Sequence, residues 1–138
     1  MTPEAIETHR LYKFEELTQA ISPYANRRRT LPFLKSIAQD VWAKHGRARL
    51  DVPIIRIGKG TPCGGSTASY ADGYGLIELT RPQATVGVLL HELTHSMGFG
   101  RPHGKGFVRK YFDLLVEYGR CEKGKLILDA SLFKLKGF

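Results

Sequence analysis

Three of the five histidines in this chain and one glutamate fall within thirteen residues: His91, Glu92, His95 and His103. The first three belong to His91-Glu92-Leu93-Thr94-His95, an H-E-x-x-H pattern. On a helix, positions i and i+4 share a face, so both imidazoles reach one metal ion at the usual Zn–N distance of about 2.0–2.1 Å. Glu92, the neighbour of a ligand, is placed to take a proton from water beside that ion. A catalytic zinc takes three protein ligands and keeps a position open, whereas a structural zinc is closed by four. His103, beyond Gly98, Gly100 and Pro102, is the candidate third ligand, with Asp113 and Glu117 as competitors. No fourth His or Cys stands near the cluster, which favours the open arrangement.

The elements that must carry these residues are legible in outline. Thr2-Pro3 reads as N-cap and first helical residue, with Ile6, Leu11, Phe14, Leu17 and Ile21 as an apolar stripe until Ser22-Pro23. A second helix opens at Thr30-Pro32 and stops near His45-Gly46, where glycine suits the position after a helix. Val52 to Ile57 suggests a strand, and Ser66–Ala71 and Tyr74–Leu79 flank Asp72-Gly73 as a hairpin. Thr80 and Gln83 form a capping-box pattern opening the third helix, striped by Val86, Leu89, Leu90, Leu93 and Met97. The histidines fall roughly opposite that stripe, so this helix is expected to bury one face and offer the other to a cleft. A fourth helix spans about Gly104 to Tyr118, capped by Gly119, and the tail to Phe138 reads equally as a strand or a short helix.

With 138 residues, 42% hydrophobic and 25% charged, the chain is one domain's worth (1–138) with a real core. Short apolar runs argue against a membrane span, and an N-terminus with acids and no apolar segment is not a signal peptide, so a cytoplasmic location is expected. Two cysteines cannot build a disulfide scaffold or a four-cysteine zinc ribbon. The net charge of +8 is concentrated in residues 26–59, at +7, and 101–138, at +5. Such blocks either attract a polyanion, DNA or RNA, or form a solvated basic surface. Arg27, Arg28 and Arg29 are the candidate phosphate contacts, although an exposed loop between helices explains them too.

His91-Glu92-Leu93-Thr94-His95 followed by His103-Gly104-Lys105-Gly106-Phe107 resembles the H-E-x-x-H … H-G-x-x-F signature of SprT-like and WLM-type zinc peptidases. The resemblance covers about residues 50–118. It implies an α+β, zincin-like minimal metallopeptidase domain: N-terminal helices, a small twisted sheet, an active-site helix and a following ligand-bearing helix. It also implies one Zn2+ per chain on His91, His95 and His103, with Glu92 as general base. There are departures. The cysteine ribbon that follows some SprT-like cores has no counterpart here. His95-Ser96-Met97-Gly98 is similar to metzincins, but their third histidine would fall at Arg101 and no downstream methionine exists. Antirestriction-type zincins share the start of the motif and fit His103-Gly104 less well.

The expected activity is therefore zinc-dependent peptide-bond hydrolysis on a protein or peptide substrate laid along an edge strand of the 66–79 hairpin. The substrates in view include nucleic-acid-associated proteins. The rivals are a nucleic-acid-binding protein braced by zinc without hydrolysis, and a zinc hydrolase of a non-peptide bond. Tyr70, Tyr74 and Tyr111 could each donate a hydrogen bond to an oxyanion or simply pack. Cys63 could be a latency ligand or an idle thiol.

Overall fold

The apolar spacing along the chain builds six α-helices and a small mixed sheet, seen in a computed structural model that describes residues 2–46, 51–63, 66–73, 75–98, 101–135 and 137–138. Helix α1 (Pro3–Leu17) starts where expected, with the Thr2 hydroxyl accepting from the Ala5 amide at 3.1 Å. It stops four residues short of Ile21, and Leu17, read as part of the stripe, is 60% exposed. Of the expected stripe, Leu11 and Phe14 are buried on α1 and Ile21 is buried just beyond its end. A single helical turn, α2 (Pro23–Asn26), follows the Ser22-Pro23 break, and α3 (Leu31–His45) buries Leu34, Ala38, Val41 and Trp42. Gly46 ends α3 in ordinary extended geometry; a side chain there would run into Trp42.

Strand β1 (Ile54–Gly58) pairs in parallel with β5 (Leu76–Thr80), in the register Ile55↔Ile77 and Ile57↔Leu79. The hairpin around Asp72-Gly73 forms, but only β4 (Tyr70–Ala71) of its first arm pairs antiparallel with β5. Gly73 takes φ +79°, and the Asp72 carboxylate accepts from the Leu76 amide at 3.0 Å, a local closure open to Asp in turns. The rest of that arm, β3 (Ser66–Ala68), pairs instead with β2 (Thr61–Cys63), a strand too short to show a period in the sequence. The main sheet is thus a three-strand mixed one, in the order β1-β5-β4.

Helix α4 (Val86–Met97) starts five residues later than the capping-box pattern implies. Thr80 and Gln83 bracket a 3-10 turn, Arg81–Gln83, and bond each other side chain to side chain at 3.1 Å. The true cap is Thr85, whose hydroxyl accepts from the Val88 amide at 3.2 Å. Thr80 makes no side-chain cap bond to the backbone, and its turn closes only through the Ala84 amide on the Arg81 carbonyl at 3.4 Å, so the long helix starts at Thr85 instead. Helix α5 (Lys105–Tyr118) packs on α4, and α6 (Lys123–Leu132) on α5, so the open alternative for the tail resolves as a helix. Gly119 keeps φ −99°, and the left-handed turn passes to Arg120, at φ +54°. Buried side chains from all six helices, β1 and β5 form one cluster, in which Leu89, Leu90 and Leu93 of α4 are fully enclosed. Among the described residues no helix is long and apolar enough to cross a membrane.

Candidate metal centre

Helix periodicity puts His91 and His95 on one face of α4, and Gly98 ends the helix at φ +72° with its amide bonded to the His95 carbonyl at 3.1 Å. The chain then turns back so that His103 precedes Gly104, the N-cap of α5. His103 itself has φ +63°, a left-handed conformation that costs a non-glycine residue about 1–3 kcal/mol unless its surroundings impose it. The surroundings do impose it. The Thr8 hydroxyl bonds His103 Nδ1 at 2.9 Å, and Arg101, two residues earlier, is clamped to Glu7 at 2.9 Å.

The three imidazoles converge through Nε2. His95 Nε2 lies 3.0 Å from His103 Nε2, which lies 3.3 Å from His91 Nε2, and one ligand atom of each lies within 4.8 Å of the others. Tetrahedral ligands on a zinc ion with the usual bond lengths stand about 3.3–3.4 Å apart, so the spacing suits such an ion. A proton bridges only one pair of nitrogens at a time; a cation satisfies three. The donor set therefore fits a divalent metal that accepts imidazole nitrogen. The competitors stand elsewhere: Glu117 binds His45 at 2.6 Å at the far end of α5, and Asp113 is exposed beside Phe112 and Lys123.

The electrostatics divide the three rings. Burial, then the charge of neighbouring His91, depresses His95 to about 3 and His103 to about 4, so both rings are neutral and free to ligate at pH 7. Burial also opposes a charge on His91, but attraction to Glu15 overrides it and raises its pKa. Glu92 is pushed up to about 7 by burial, partly offset by His91. One Glu92 oxygen, Oε2, is buried without a hydrogen-bond partner among the described residues, while Oε1 stands 4.0 Å from His91 Nε2. A buried carboxylate with a vacant acceptor beside a ligand nitrogen is poised to exchange a proton with a small polar molecule.

The histidine face of α4 does border a cleft, as expected, but it is largely enclosed. His91 and Glu92 are each only 6% exposed and His103 8%, because α4 is covered on both sides. Phe107 of α5 packs its ring 4.5–5.2 Å from all three imidazoles, and Tyr12 of α1 lies 5.4 Å from His103 and 6.3 Å from His91. Access is through a cleft of about 610 Å³ whose wall includes Tyr12, Glu16, Ser69, Gln83, His91 and Glu92.

The sequence reading missed the contribution of α1. Thr8, Tyr12 and Glu15 stand at i, i+4 and i+7, a shared face next to Leu11 and Phe14, and that spacing was the available signal. Glu15 Oε2 accepts from His91 Nδ1 at 2.9 Å and from the Tyr111 hydroxyl at 2.8 Å. Tyr111 is thereby spent on Glu15 and fully buried, which removes it as an oxyanion donor. Tyr70 is half-buried on β4; Tyr74 and the side chain of Cys63 lie outside the described residues.

The basic triplet divides. Arg29 stacks over Tyr24 at 4.3 Å and Phe33 at 5.0 Å and donates to the Tyr24 carbonyl, a structural use of its guanidinium. Its amide bonds the Ala84 carbonyl at 2.8 Å and Arg28 bridges Thr85, so the triplet's backbone braces the start of α4. Arg27 and Arg28 are exposed.

No protein-family model, no curated protein and no solved structure matches this chain.

Proposed function

We propose that this chain is a zinc-dependent peptidase of zincin-like construction, with His91, His95 and His103 as ligands and Glu92 as general base. The observation that carries the reading is the convergence of three imidazole Nε2 atoms beside the partnerless buried oxygen of Glu92. Likeness to SprT-like and WLM-type peptidases rests on the motif residues alone, and supports the same assignment. A zinc ion held there supplies a Lewis acid that polarises a carbonyl and lowers the pKa of water.

The chain's own residues do the rest. Glu92, at about 7, accepts a proton from the attacking water and returns it to the leaving amine, an exchange that is easiest for a group whose pKa lies near the working pH. Phe107 and Tyr12 keep bulk water off the imidazoles, which strengthens every charge interaction inside. The cleft between α1 and the Ser69–Gln83 side takes the polypeptide, and the edge strand β4 offers it backbone partners.

Metal analysis paired with cleavage of an unfolded protein such as casein, with and without chelator, tests the reading. About one zinc per chain and chelator-sensitive cleavage are expected. Glu92→Gln should stay folded and zinc-loaded while turnover falls about 10²–10⁴-fold, the usual contribution of a general base. Cleavage at the parent rate by Glu92→Gln would sink the mechanism. Incubation with RNA and DNA in parallel reads the two rivals: hydrolysis of nucleic acid, or binding without hydrolysis of anything.

A further inference from the structure

Helix α1 turns one polar face toward the metal ligands rather than toward solvent. Glu15 is the second carboxylate in the centre, and the chemistry assigned to Glu92 does not use it. Its Oε2 receives two donors, His91 Nδ1 at 2.9 Å and the Tyr111 hydroxyl at 2.8 Å. With His91 Nδ1–H committed outward, the Nε2 lone pair is directed inward to the point where the three rings meet. Thr8 does the same for His103, with its hydroxyl 2.9 Å from Nδ1. Glu7, on the same helix, holds Arg101 at 2.9 Å and so fixes the turn that gives His103 its left-handed backbone.

We infer that Glu15 and Thr8 are positioning residues of the metal centre: they orient His91 and His103 through Nδ1, with Tyr111 holding Glu15 in place. The inference rests on the metal reading above and deepens it by making α1 part of the site. Outer partners of this kind, when removed, typically cost 10–100-fold in metal affinity, because a ring that is free to turn must be ordered each time the ion binds. Tyr111→Phe should cost less than Glu15→Ala, since the carboxylate keeps its direct bond to His91.

Zinc itself is the probe, titrated against a chromophoric chelator, with proton NMR of the zinc-loaded protein as the second readout. The parent should show the His91 Nδ1–H proton far downfield and slow to exchange. Glu15→Ala should bind zinc about 10–100-fold more weakly and lose that signal. Phe14→Leu, a packing change on the same helix, should lower the melting temperature yet keep both signal and affinity. Thr8→Val should weaken zinc binding by about tenfold while Thr8→Ser restores it, and this pair decides the matter if Glu15→Ala does not fold. Zinc affinity at the parent level in both Glu15→Ala and Thr8→Val, or loss of affinity equally in Phe14→Leu, overturns the assignment. A parent that binds no zinc overturns the metal reading and this assignment with it. No arm reads proteolysis, so failure of the peptidase reading registers separately.

Discussion

Two histidine–carboxylate pairs sit toward opposite ends of α5, and only one borders the three-imidazole cluster. His91 and Glu15 meet at 2.9 Å with side chains 8% and 22% exposed; His45 and Glu117 meet at 2.6 Å with side chains 21% and 38% exposed. By distance alone the second pair is the tighter. The difference lies in the other ring nitrogen. His45 Nδ1 accepts from Lys110 at 2.7 Å, so both of its nitrogens are spent and the ring works as a clasp between α3 and α5. His91 spends Nδ1 on Glu15 and keeps Nε2 for a point shared with two further imidazoles. A histidine becomes a ligand candidate through what its second nitrogen faces.

That contrast can be broken in several ways. The largest effect should be on metal content: His91→Ala should lose the zinc, whereas His45→Ala should keep about one per chain, measured by elemental analysis after gel filtration. Equal metal in both would erase the distinction between the two pairs. Next comes stability. A ligand present at a thousand times its dissociation constant adds about 4 kcal/mol, so chelation should lower the melting temperature by about 10–15 °C. His45→Ala should show the same drop, because its clasp lies outside the metal centre. Glu117→Ala should cost about 1 kcal/mol or less in a denaturant melt, as expected of a partly exposed pair.

The smallest effect is a pH dependence in the clasp region. Asp40 is held below its ordinary value of 3.8, first by the Tyr118 hydroxyl at 2.7 Å and then, against desolvation, by Lys44. A depressed carboxyl contributes stability above its unfolded pKa and loses that contribution as pH falls through the lower folded value. Tyr118→Phe should therefore melt slightly below the parent at pH 7, with the gap closing as pH falls below 3.8. A gap that stays constant across that range would detach Tyr118 from the titration.

Glu15 was hidden in the sequence because a glutamate on a helix with charged neighbours reads as solvated surface. Thr8 was hidden because a threonine has no sequence signature for bonding a histidine 95 positions away. The start of α4 was misplaced for a related reason. Thr80 and Thr85 are both cap-type residues, but Thr80 makes no side-chain cap bond and opens only a 3-10 turn, whereas the Thr85 hydroxyl caps the long helix. His91, Glu92 and His95, by contrast, needed nothing beyond local periodicity, since a 3.6-residue turn brings i and i+4 together wherever the helix sits.

The sequence by itself determined helices α1, α3, α4 and α5 in outline, strands β1 and β5, and the placing of His91, Glu92 and His95 on one helix, all of them set within one turn or one apolar stripe. The tertiary structure alone decided three things. His103, at φ +63°, enters the cluster because α1 clamps its turn. Glu15 and Tyr111, from α1 and α5, meet at His91 only when both helices pack on α4. Arg29 became a structural cation because Tyr24 and Phe33 enclose it. Each depends on residues far apart in the chain, whose contact forms only when the core closes over apolar neighbours and whose pairing leaves no periodic trace.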